Sequence, residues 1–153
     1  MNPSPSPAVG EWDAALQRVA AESLEALSGV IPAPRETAVQ SAAPWEAAYR
    51  VEFEGAARGE MRLTFFGGAA AAVAEGMIGR GEGPDAADAL GELSNIVCGN
   101  FLPFVYGATA EFHLTKPASA GRGEGPVGAP KAAARLPFGD GRLEVHFRER
   151  GRP

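Results

Sequence analysis

Glu92 and Asn95 carry the most pointed chemistry in this sequence. They fall within Asp85–Phe101, DAADALGELSNIVCGNF, a segment whose apolar residues recur at helical spacing. On a helix, residues three apart are neighbours, with Cβ atoms about 5–6 Å apart. Glu92 brings an anion and acceptor that can hold a lysine of a partner. Asn95 brings an amide that donates, accepts and does not titrate near pH 7. Such a group orients a water molecule without taking its proton. Positioning the attacking water is much of the task in phosphoryl transfer, whose transition state is loose. The pair therefore suits a hydrolase that lends an amide to a phosphate held on another molecule. The plainer alternative is solvated helix surface, which is the commoner meaning of Glu-x-x-Asn taken by spacing alone. Asparagine is a mediocre helix former, and this small cost in mid-helix favours a purpose.

Winding the segment at about 100° per residue puts Leu90, Leu93, Val97 and Phe101 within about 80° of arc, with Ala86 among them. Asp88, Glu92, Asn95 and Gly99 gather within about 60° on the opposite side. One stripe is thus a core face, and the other is expected to face solvent. Gly91, Ser94 and Gly99 border the polar stripe and would let a partner lie close.

The surrounding elements must hold that helix. A first helix is expected over 11–28, with Trp12, Leu16, Val19, Leu24 and Leu27 largely on one side and Gly29 as its stop. Tyr49, Val51 and Phe53 alternate with charged residues, and Met61, Leu63 and Phe65 alternate with Arg62 and Thr64 after the turn at 55–59, which predicts a hairpin. An alanine-rich helix follows over 68–78. The site helix is expected to end before Pro103 and Gly107. Strands are expected near 109–115, 132–136 and 142–148, the last after the turn Gly139-Asp140-Gly141. Strands arriving in hairpins favour α+β, with helices packed on a largely antiparallel sheet. Residues 1–10 read as a flexible tail, 11–150 as one domain, and 117–130 as a long, mobile surface loop. The hexapeptide GRGEGP occurs at 79–84 and 121–126, but the flanks differ, so it reflects composition and not a repeat.

Composition narrows the classes. The chain has 153 residues, 14 Lys and Arg against 19 Asp and Glu, and a net charge of −5. That balance argues against a nucleic-acid backbone binder and against an anionic membrane surface. One cysteine, Cys98, excludes an internal disulfide and a multi-thiolate zinc site. Cys98 reads as a packed side chain, and His113 and His146 as surface or strand-pair residues. No apolar run approaches the ~20 residues of a membrane span, and the N-terminus lacks a secretory pattern, so a cytoplasmic location is expected. Arg142, Arg148, Arg150 and Arg152 read as a solvated basic tail.

The run Gly91-Glu92-Leu93-Ser94-Asn95-Ile96-Val97-Cys98-Gly99-Asn100 resembles the signature helix of the CheC/CheX/FliY family of chemotaxis phosphatases. The hairpin at 53–65 with the alanine-rich helix after it, and the strand at 141–147, resemble the family's neighbouring elements. CheC and FliY carry two Glu-x-x-Asn helices, whereas this chain has one, so the resemblance is to CheX. It implies a CheC-like fold and a hydrolase of two-component signalling that removes phosphate from the aspartate of a phosphorylated CheY-like receiver domain. In that reading Glu92 pairs with the receiver's active-site lysine and Asn95 places the water in line with the acyl phosphate. It implies no cofactor of the chain's own, the Mg²⁺ belonging to the receiver, and a homodimer joined through sheet edges. A non-catalytic module that binds or sequesters a receiver is the alternative from a different class.

Overall fold

Alternation along the strands decides which face of the sheet the helices cover. The computed structural model describes residues 9–33, 43–80, 83–123 and 129–151. Its helices are α1 (Val9–Ser28), α2 (Ala69–Ile78) and α3 (Pro84–Tyr106). The strands are β1 (Trp45–Gly55), β2 (Arg58–Phe66), β3 (Phe112–Leu114), β4 (Ala118–Ala120), β5 (Ala132–Phe138) and β6 (Gly141–Gly151). They form one antiparallel sheet in the order β3-β1-β2-β6-β5, with β4 also on β1. Register aligns the apolar positions into rows. Val51 pairs with Met61, Met61 with Phe147, and Phe147 with Ala132. Phe65, Leu143 and Leu136 form another row. All seven side chains are buried beneath the helices. This is the α+β arrangement that the sequence predicts.

Phe147 ties the layers together. Its ring stacks on Phe53 with centroids 5.4 Å apart, and meets Phe101 of α3 at 5.0 Å and Trp12 of α1 at 6.2 Å. Helix α2 begins at Gly68 with no side-chain cap of its own. Glu46 of β1 supplies one instead, its carboxylate accepting from the Ala70 N–H at 3.0 Å. An anion at a helix N-terminus is favoured by the helix dipole.

The two ends of the sheet differ. Along β5, α1 lays two side chains against the outer backbone. The Ala133 N–H donates to Asp13 at 2.9 Å, the Arg135 N–H donates to Gln17 at 3.1 Å, and the Gln17 amide donates back to the Arg135 carbonyl at 2.9 Å. The Ala33 N–H donates to the Pro137 carbonyl at 2.7 Å. At the other end, 112–120 runs along β1 in two pieces. Between the pairs Phe53–Leu114 and Arg50–Ala118, β1 advances three residues and its neighbour four. The extra residue is a bulge at 115–117, where Pro117 has no N–H to give a ladder. Thr115 anchors it: its N–H donates to the Glu52 carbonyl and its Oγ1 accepts from the Glu52 N–H, both at 2.9 Å.

Several expectations change. Helix α3 does not stop before Pro103 but runs through it to Tyr106, where Gly107, at φ 94°, donates its N–H to the Pro103 carbonyl. An internal proline costs about 3 kcal/mol, but the last turn gains from buried Phe101 and Leu102 and half-buried Val105 and Tyr106. Residues 118–120 are strand and not loop, because β1 offers them an open edge. Of the expected mobile loop, 124–128 lie outside the described residues, as do 1–8 of the expected tail, while Val9 and Gly10 open α1. The outer sheet face is not simply solvated. Glu60 is fully buried, taking a 2.9 Å hydrogen bond from Arg150 with Arg62 at 3.6 Å. Arg142 is buried too, held by Glu144 at 2.6 Å and stacked on Phe66. Most of the expected basic tail is therefore ordered strand, and Arg152 lies outside the described residues.

Candidate functional site

Helix α3 presents the two stripes that its spacing predicts. Ala86, Leu90, Leu93, Val97 and Phe101 are buried, and Asp88, Glu92 and Gly99 are exposed. Cys98 is buried as well, and burial pushes its thiol up to about 12. At pH 8 only about one thiol in 10⁴ would then be thiolate. A thiol reagent at that pH is expected to leave Cys98 untouched in the native protein and to modify it promptly in denaturant. Rapid native-state labelling would contradict the packed placement.

Asn95 sits less openly than the stripe predicts. It is half-buried, its Oδ1 is enclosed, and no donor reaches that oxygen among the described residues. The bulge at 115–117 rises beside the helix one turn before Asn95. Gly91 is buried against it, and a Cβ there would stand 3.1 Å from the Pro117 ring. Gly91 thus serves the chain's own packing, whereas Gly99 has open space around it. Ser94 is likewise internal, its hydroxyl donating to the Leu90 carbonyl at 2.9 Å.

Between helix and sheet edge lies an open cleft of about 400 Å³. One wall is Ala87, Asp88, Gly91, Glu92 and Asn95 of α3. The other is Lys116 and Pro117, with Tyr49 and Ser119 from the paired strands β1 and β4. The structure therefore brings Glu92 and Asn95 together on one cleft. It adds Lys116, Ser119 and Tyr49, which helix spacing could not reveal because they come from another part of the chain. Burial raises the Tyr49 hydroxyl pKa, so it stays a donor at neutral pH. His113 of β3 and His146 of β6 take no part in the cleft. His146 pairs in register with Arg62, and burial lowers its pKa. Among the described residues no group of three His, Cys, Asp or Glu side chains could hold a metal, and no helix is long and apolar enough to cross a membrane.

Chemically, the described residues of the cleft offer the carboxylates of Asp88 and Glu92, the Asn95 carboxamide, the Lys116 ammonium and the hydroxyls of Tyr49 and Ser119. A buried amide oxygen without a donor costs about 1–3 kcal/mol. The oxygen is closed to water from the cleft, so relief of that cost needs the side chain to turn.

Three helices on one face of an antiparallel sheet, with a Glu-x-x-Asn helix over an edge cleft, define a CheC-like α+β protein. Residues 48–136 match the family described as Chemotaxis phosphatase CheX, more than half of the chain, and the protein belongs to that family. Solved structures agree on the fold. CheX from Desulfovibrio desulfuricans superposes with a TM-score of 0.68 at 21% identity, over 91% of this chain and 99% of that one. A CheX–CheY–BeF₃–Mg²⁺ complex from Borrelia burgdorferi gives 0.68 at 19%, over 91% and 97%. A putative chemotaxis protein from Desulfovibrio vulgaris Hildenborough gives 0.68 at 19%, over 91% and 96%. No curated protein matches the chain.

Proposed function

We propose that this protein is a phosphatase of the phosphoaspartate on a CheY-like receiver domain. The observation that carries the reading is the half-buried Asn95 carboxamide beside exposed Glu92, both lining one open cleft. Membership of the CheX family, and a relative solved in complex with CheY, BeF₃ and Mg²⁺, support it.

The chain's residues divide the work. Glu92, exposed on α3, takes the ammonium of the receiver's active-site lysine as docking brings the acyl phosphate to the cleft. Asn95 then holds a water through its carboxamide, in line with the bond between phosphorus and the aspartyl oxygen. The water oxygen bonds to phosphorus, that P–O bond breaks, and the products are inorganic phosphate and a free aspartate. The amide neither gains nor loses a proton, so the attacking oxygen keeps one of the water's protons, the other ends on a phosphoryl oxygen, and the aspartate leaves as its carboxylate. Mg²⁺ stays with the receiver, where it neutralises charge on the phosphoryl oxygens. The family resemblance further supports a homodimer joined at sheet edges and a single functional unit over 11–150.

The test loads receiver domains with a small acyl-phosphate donor and follows phosphate release with and without the protein. Acceleration is expected for at least one receiver, and tight binding without acceleration would favour a sequestering role instead. Glu92→Gln is expected to lower kcat/KM on the order of 10- to 100-fold, mainly through KM. This is the size of a charge-assisted hydrogen bond of about 1.5–3 kcal/mol. An unchanged KM would remove Glu92 from docking.

A further inference from the structure

Among the described residues the cleft holds one cation, and nothing in the proposed reaction has used it. Lys116 lines the wall opposite Glu92 and Asn95 and is the only basic residue among the described residues lining the cleft. Its position is fixed by its neighbours. Thr115 is pinned to Glu52 by two hydrogen bonds, and Pro117 lies against Gly91 of α3. The backbone that carries Lys116 is therefore held, while its side chain is exposed. Asp88 and Glu92 face the same space, yet among the described residues no carboxylate lies within ion-pair distance of Lys116. Among the described residues the ammonium is thus left without an anion on a cleft that it shares with Asn95.

That deficit suits one visitor. A phosphoryl group brings anionic oxygens for the cation, and the cleft places it beside Asn95 and Glu92. The geometry points to Lys116 as the residue that reads the phosphorylated state of the receiver, a contact that rests on the phosphatase reading above. Its four-carbon stem lets the ammonium swing into the cleft and meet a phosphoryl oxygen on the docked receiver. In the open cleft the charge is well solvated and worth little. Once the receiver excludes water, the same contact strengthens as the effective dielectric falls. An unphosphorylated receiver offers no such oxygen, so the contact adds nothing to its binding. Lys116 then sets which state of the partner is held, while Glu92 and Asn95 keep the roles given above.

The experiment uses a receiver whose phosphate loss the wild-type protein accelerates, in Mg²⁺, with and without beryllofluoride as the phosphoryl mimic. Binding of both forms is measured for wild type, Lys116→Met and Lys116→Arg. Wild type is expected to prefer the loaded form. Lys116→Met should bind the loaded form about tenfold or more weaker and the unloaded form unchanged, with Lys116→Arg restoring most of the preference. Equal losses on both forms would make Lys116 a general rim contact and overturn the inference. So would no loss on either form, or a wild type that accelerates phosphate release without preferring the loaded form. Those failures leave the phosphatase reading standing. A wild type that accelerates phosphate release from no receiver overturns that reading itself.

Discussion

Asn95→Ala should remove catalysis and make the protein slightly more stable. Loss of one preorganised hydrogen-bonding group in a reacting site costs on the order of 10²–10³ in rate. Here the group lost would be the one that places the water, and a methyl group can neither donate nor accept. Stability moves the other way for two reasons. Alanine is the better helix former by several tenths of a kcal/mol. The substitution also deletes an enclosed oxygen that has no donor among the described residues. Less the packing lost with the side chain, these are worth about 1 kcal/mol, or a rise of roughly 2–4 °C in Tm for a domain of this size. Receiver-dependent phosphate release and thermal unfolding check the two halves together. A variant that keeps its activity ends the water-positioning role. A variant that loses both activity and stability shows that Asn95 belongs to the packing.

The largest loss of stability is expected at Phe147→Ala. The ring touches Phe53, Phe101 and Trp12, which join β1, α3 and α1, and it is fully buried. Truncating such an aromatic costs about 3–5 kcal/mol through lost burial and the cavity left behind. Set against a typical total of about 5–15 kcal/mol, that is about a fifth of the margin or more. Tm should fall by roughly 6–20 °C. Denaturant titration should show a lower midpoint with an unchanged slope. A fall under about 2 °C would mean that the layers are held elsewhere.

Local patterns made the scaffold readable. The alternation in 49–53, 61–65 and 143–147 is one buried face repeated on three strands, and register keeps that face together. Glu92 and Asn95 were visible for a similar reason, since one helix carries both and 3.6 residues per turn sets their relation. What spacing could not show depends on partners distant in sequence. Helix α3 passes Pro103 because Phe101 and Leu102 find a core formed by other segments. The α2 cap comes from Glu46, more than twenty residues upstream. The far wall of the cleft comes from Lys116 and Pro117 in a stretch whose glycine, alanine and proline content gives no periodic signal. Its strand, Ala118–Ala120, exists because β1 has an edge to offer. Arg62 and Arg142 look solvated in an alternating strand, and the folded sheet covers both.

The side chains that α1 lends to β5 limit how copies of this protein can join. An incoming strand would need the Ala133 and Arg135 amides and the Arg135 and Pro137 carbonyls, and all four are taken by Asp13, Gln17 and Ala33. That flank is sealed against recruitment into a longer ribbon, which also guards against fibrous stacking. The bulge that walls the cleft lies on the opposite margin, along β3 and β4, so the cleft and the sealed flank are at different ends of the sheet.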